Sequence, residues 1–191
     1  RKMMDKLTQK SQEVLQAAHE LAQERSHQEL DGPHLALALV RQSDSIVPKL
    51  LQRAGTDLRA LESDLNLELD RRAKVEGVSA SDVFMSRDLK KAFDVAAKEA
   101  KKLSDEYLSA EHLLLGLLSY GGTLKKLFKK HGLEREVLLE KMNEVRGAHR
   151  VTDQNPEDKF EALDKYGKDL TKLAREGRID PVIGRNDEIR R

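Results

Sequence analysis

Two leucine-rich runs stand out from an otherwise charged chain: residues 109–119, SAEHLLLGLLS, and residues 31–40, DGPHLALALV. Each opens on a small polar residue able to cap a helix and sets a histidine three positions later, His112 in one and His34 in the other. The offset between them, 112 − 34 = 78, also pairs Thr8 with Ser86, Leu15 with Phe93, Ala18 with Ala96, Ala22 with Ala100 and Leu30 with Leu108. One offset held over so long a stretch predicts a duplicated helical unit.

Helical spacing organises each copy. Leu7, Ser11, Val14, Leu15, Ala18, Leu21 and Ala22 share one face, with Thr8 placed to cap them. Asp31 starts a second helix with Pro33 in its first turn, a third ends at Gly55, and Asp57 caps a fourth with the stripe Leu58, Leu61, Leu65 and Leu69. Ser86 restarts the plan with Leu89, Ala92, Phe93, Ala96, Ala100 and Leu103 on one face, and Ser109 begins the sixth helix. Gly121 and Gly122 break that helix, Thr123 is expected to cap a seventh ending at Gly132, and residues 134–146 form the eighth. Residues 72–85, with Gly77 and no helical period, read as the connector. The expected fold is all-α: two pseudo-twofold related four-helix repeats, about 4–71 and 86–146, sharing one core in a domain of residues 1–147.

Beyond Gly147 the pattern changes. Residues 151–158, VTDQNPED, hold almost nothing apolar and one proline, so 148–159 reads as a solvated linker. Residues 160–191 regain helical segments at 160–166 and 169–176 but are too few to close a domain, and are expected to be the start of another.

Composition narrows the function. Aromatic residues are only 4% and Trp is absent, so the core must come from Leu, Ala and Val. Lys plus Arg number 35 against 34 Asp plus Glu, and a net charge of +1 gives no field to draw nucleic acid or an anionic membrane. Without cysteine there is no disulfide framework, thiolate metal site or Cys nucleophile, which suits a reducing compartment. No apolar run approaches the roughly 20 residues that span a bilayer and no signal peptide opens the chain, so a soluble cytoplasmic protein is expected.

Catalytic signatures are missing from the sequence: no GxxxxGK[ST] phosphate loop, no GxGxxG, no HExxH and no GxSxG. The six histidines are scattered, and the repeated His34 and His112 are expected to pack or cap helix starts rather than bind metal. Asp105, Glu106 and Glu111 surround the start of the sixth helix, where acids favour the helix dipole. The alternative is that Asp105 and Glu111, with the Thr8 hydroxyl, form a polar rim beside an apolar groove between the units, a seat for an extended or helical peptide.

LTQKSQEVLQAAHELA at 7–22, the SAEHLLLGLL echo and above all the tail EALDKYGKDLTKLAREGRIDPVIGRNDEIRR resemble the amino-terminal domain and first ATPase-domain residues of Clp chaperones. The linker VTDQNPEDKFEALDKYGKDLT most resembles the ClpB-type disaggregases, stress-response AAA+ proteins that refold aggregates, rather than the ClpA or ClpC unfoldases. The resemblance implies a substrate-binding module that captures unfolded or aggregated polypeptide for threading through a hexameric ring, with a co-chaperone acting on the parent chain. The alternative it leaves is an adaptor-docking or regulatory domain of a Clp protease unfoldase. It implies capture roles for Thr8, Asp105 and Glu111, and groove positions at Phe93, Val95 and Leu108, with polar Glu99 and His112 beside them. It further implies that Val182 and Ile183 of DPVIGR approach the adenine of ATP, bound with magnesium in the complete ATPase domain, while this stretch alone is not an enzyme.

Overall fold

A computed structural model describes residues 6–119, 122–147, 149–152 and 154. Among them are eight α-helices: α1 (Gln9–Glu24), α2 (Gly32–Arg41), α3 (Ile46–Arg53), α4 (Leu58–Asp70), α5 (Arg87–Lys102), α6 (Ala110–Leu118), α7 (Gly122–Lys130) and α8 (Arg135–Arg146). The repeat begins with capping. Thr8 Oγ1 accepts from the Ser11 amide at 3.2 Å and Ser86 Oγ from the Leu89 amide at 3.0 Å, each relieving an orphan N–H of a 16-residue helix. Both helices also end alike. The His27 amide reaches back to Ala22 O at 2.8 Å and the Asp105 amide to Ala100 O at 2.9 Å, with Ser26 and Ser104 in the left-handed region at φ 61° and 60°. The chain thus turns the same way after α1 and after α5.

The leucine runs become the centre. Every residue from Gly32 to Val40 and from Ala110 to Leu118 is buried, as expected of helices apolar on all sides. α1 lies against α2 and α5 against α6. The second contact is close enough that a Cβ on Gly116 would stand 2.2 Å from Ala92 O, so this position accepts only glycine.

Two short parallel pairings join the halves. β1 (Glu29–Leu30) pairs with β2 (Phe84–Met85), and Leu7 bridges Leu108. The 78-residue offset carries Leu7 onto Met85 and Leu30 onto Leu108, so the two bridges exchange under it. Their bonds match: Thr8 N donates to Leu108 O and Ser86 N to Leu30 O, both at 2.9 Å. Each repeat therefore supplies the strand that steadies the other's first helix.

The helical architecture is as expected, with differences in detail. The connector holds a 3₁₀ turn (Ala80–Asp82) and β2, elements too short to show a period. α7 already begins at Gly122, so Thr123 lies in its first turn rather than capping it. In the stretch expected to be solvated, Val151 is 0% exposed and packs into the common core, because its backbone pairs with residues 105–107. Residues 160–191, with Val182 and Ile183, lie outside the described residues.

Candidate functional site

The two repeated histidines use the same atoms for the same purpose. His34 Nδ1 accepts from the Asp31 amide at 3.0 Å and His112 Nδ1 from the Ser109 amide at 2.9 Å. An Nδ1 that accepts from a backbone N–H leaves the proton of the neutral ring on Nε2, so Nε2 is the donor in each case. The partners differ. His34 Nε2 meets His27 Nδ1 at 2.8 Å, whereas His112 Nε2 meets Asp105 Oδ2 at 2.7 Å.

Asp105 is the hub of the second arrangement. Its Oδ1 accepts from Arg146 Nη2 at 2.6 Å and from the Val151 amide at 2.8 Å, so the carboxylate joins the turn after α5, the start of α6, the end of α8 and the segment beyond it. Burial alone would raise its pKa, but the bonds from His112, Arg146 and Val151 outweigh that and hold it below the usual aspartate value. Glu111 lies beside this network, fully buried, at 3.6 Å from Arg146 Nη1, and its two carboxyl oxygens accept no hydrogen bond from the described residues. A buried carboxyl left so is a costly feature for a fold to carry without a use.

Above the hub is a depression of about 310 Å³ lined by Lys6, Ala97, Ala100, Lys101, Asp105, Glu106, Tyr107 and Leu108. Its lining is mainly apolar surface with a charged edge, and Lys6 Nζ sits 5.8 Å over the Tyr107 ring. Of the residues expected to form a groove, Asp105 and Leu108 reach this surface, Leu108 with only 3% of its area exposed. Thr8 and Glu111, expected on a rim, are wholly buried: Thr8 is occupied with capping α1 and with Ser11, and Glu111 faces Arg146. Phe93 is 3% exposed because α5 turns that face onto α6, and Val95 is half-buried; neither lines the depression. Glu99, read as a polar interruption, is held by two bonds to Arg135, at 2.5 and 2.8 Å, which keep its pKa low.

Sequence reasoning did not find Lys6, Ala97, Lys101, Tyr107, Arg146 or Val151. Tyr107 carried a faint signal, as one of three tyrosines in the chain. Arg146 carried none, since it lies 41 residues from the carboxylate it serves. Among the described residues no group of His, Cys, Asp or Glu side chains could hold a metal ion, and no helix is long and apolar enough to cross a membrane.

Comparison with known proteins gives this geometry its family. Residues 6–131 match the Clp repeat N-terminal domain. The chaperone protein ClpB of Nitratidesulfovibrio vulgaris is 44% identical over 190 residues, covering 97% of this chain and 22% of the relative, so the chain spans about a fifth of the curated relative's length. The N-terminal domain of Hsp104 from Candida albicans superimposes with a TM-score of 0.69 at 22% identity, over 79% of this chain and 98% of that one. A ClpV N-domain in complex with a VipB peptide gives a TM-score of 0.59 at 21% identity, over 74% of this chain and 88% of that one.

Proposed function

The chain belongs to the Clp repeat N-terminal domain family, and from that premise we propose that it is the polypeptide-binding module of a ClpB-type disaggregase. The module takes up exposed apolar stretches of unfolded or aggregated protein and passes them to the ATP-hydrolysing hexameric ring of the longer protein, where magnesium ATP is the cofactor. The observation that carries this reading is the depression over Asp105, whose floor of Ala97, Ala100, Tyr107 and Leu108 is apolar and whose edge carries Lys6, Lys101 and Glu106. An apolar side chain of an extended segment fits such a floor, and mixed charges at the edge meet its backbone and polar neighbours without selecting one sequence. The small volume limits affinity, which suits a module that must release its cargo, because related complexes differ mainly in how fast they dissociate. The peptide held by the structurally similar ClpV N-domain supports the same use of the fold.

Thr8 and Glu111 act in this reading from below the surface, Thr8 by fixing the first turn of α1 and Glu111 through Arg146. Phe93 and Val95 belong to α5, the helix that supplies Ala97, Ala100 and Lys101 to the depression. Titration of the isotope-labelled chain with reduced, carboxymethylated lactalbumin, a permanently unfolded polypeptide, tests the proposal. Amide shifts centred on residues 97–108 are expected. No shift in that stretch at millimolar ligand would refute it.

A further inference from the structure

The backbone beyond α8 braces the proposed capture site from behind. Val151 O accepts from the Glu106 amide at 2.7 Å and from the Tyr107 amide at 3.3 Å, while the Val151 amide donates to Asp105 Oδ1 at 2.8 Å. Three consecutive residues that line the depression are thus tied to one residue of the following segment. Further on, Gln154 O accepts from the Gln9 amide at 2.8 Å, in the first turn of α1, directly after the Lys6–Thr8 stretch that pairs with Leu108. The same short piece of chain therefore holds both residues 105–107, which line the depression, and the start of α1, three residues after Lys6, which lines it from the other side. The sequence had marked this piece as a polar connector, and its single apolar residue, Val151, is wholly buried.

We propose that Val151 and Gln154 form a latch that positions the capture face and couples its affinity for polypeptide to the seating of this short segment. With the latch seated, Asp105, Glu106 and Tyr107 are held in place before ligand arrives, so the ligand need not order them. A contact made of a few backbone hydrogen bonds and one valine belongs to the least stable part of a domain and opens without global unfolding. Linkage then requires the converse: bound polypeptide must tighten the latch by the same factor by which the latch tightens binding.

This inference rests on the depression being the capture site, and the test separates the two. In the full 191-residue chain, Val151→Asp puts a charge into the buried slot and is expected to raise hydrogen-exchange rates at the Glu106 and Tyr107 amides at least about tenfold. It should weaken binding of reduced, carboxymethylated lactalbumin about fivefold or more. Saturating wild-type protein with that probe should slow exchange at the same two amides by a matching factor. Val151→Ala, run in parallel with far-UV circular dichroism as the check on folding, should give smaller changes of the same sign and serves if the aspartate variant does not fold. If the wild-type chain binds no probe, the capture reading and the coupling fall together. If wild type binds but a variant with unprotected Glu106 and Tyr107 amides binds equally well, the coupling alone is overturned. Unchanged protection in Val151→Asp would show that this pairing is not a latch.

Discussion

His27 and Asp105 occupy the same place in the two repeats, and each closes onto Nε2 of the histidine seven residues further along, at 2.8 Å for His34 and 2.7 Å for His112. Only the second pairing offers that N–H a carboxylate. In the first, two imidazoles share a buried site with Arg25, Arg72 and Lys74 nearby, set against Asp31 and Asp70. Burial, then the neighbouring His27 and Arg72, push His34 down to about 4, and burial with the three cations lowers His27 as well.

Acid should therefore weaken the first repeat. Both histidines bind fewer protons folded than unfolded, so their contribution is complete above the ordinary value of 6.5 and is lost as pH falls towards about 4. For His34 the loss is on the order of 3 kcal/mol. His27→Asp copies the second repeat's arrangement and supplies a carboxylate amid three cations. It should flatten the decline in the urea midpoint between pH 6.5 and 4, whereas an equal decline in both proteins would contradict the assignment.

Asp105→Ala removes one acceptor shared by three donors: the His112 ring, the Arg146 guanidinium and the Val151 amide. Breaking a buried network from its centre costs about 3–5 kcal/mol. The urea midpoint should fall accordingly. Removing the exposed partner of a surface pair, as in Asp44→Ala opposite Lys10, should change it by less than about 1 kcal/mol. In wild type this contribution is lost only below the pH range of the histidines, because the folded pKa of Asp105 is depressed.

Much of this fold was legible in the chain because helices declare themselves every three or four residues and the duplication repeats caps and stripes together. Thr8 with Ser86 and Asp31 with Ser109 could be paired by offset alone. The bridges could not, since two-residue strands carry no period, although the offset that relates Leu7 to Met85 and Leu30 to Leu108 was already present. Val151 was hidden for a different reason. A lone valine in a polar run looks solvated until the carboxylate that receives its amide is known. Asp105 could be singled out, but not its role, because Arg146 is brought to it by the packing of α8.

Gly116 should tolerate no side chain. Alanine would gain about 1 kcal/mol of helix propensity. Its Cβ, however, would meet the backbone oxygen of Ala92 at 2.2 Å, and backbone cannot swing aside as a flexible side chain can. α5 would have to separate from α6, and overpacking of this kind costs about 1–3 kcal/mol. Gly116→Ala should lower the thermal midpoint, while the offset-related Ala38 already accommodates its methyl in α2.

Ser26 and Ser104 hold left-handed backbone at the ends of α1 and α5, a conformation in which a Cβ is strained by about 1–2 kcal/mol. Both side chains are peripheral to the core, so Ser26→Gly and Ser104→Gly should relieve strain without losing packing. Glycine loses more freedom on folding, which offsets part of the gain and leaves about 0.5 kcal/mol of stabilisation at each site. The urea midpoint of each variant, and of the double, measures it. Because the two turns are equivalent but separate, the effects should add.

Ala97 offers the most direct probe of the depression, because its side chain is exposed on α5 while neighbouring Ala96 and Ala100 are buried. Ala97→Glu keeps a good helix former at that place and places a longer, charged side chain on an apolar floor. Stability should change by no more than about 0.5 kcal/mol, as at other surface sites. Binding of an unfolded polypeptide should weaken about tenfold, since an apolar segment would meet an unpaired carboxylate that it cannot solvate. His19 is the offset-related position on α1, and His19→Glu is the matched control in the other repeat. Loss of affinity confined to Ala97→Glu would place the cargo over Asp105. Equal loss in both variants would mean that the two repeats bind alike, and no loss in either would move the capture surface elsewhere.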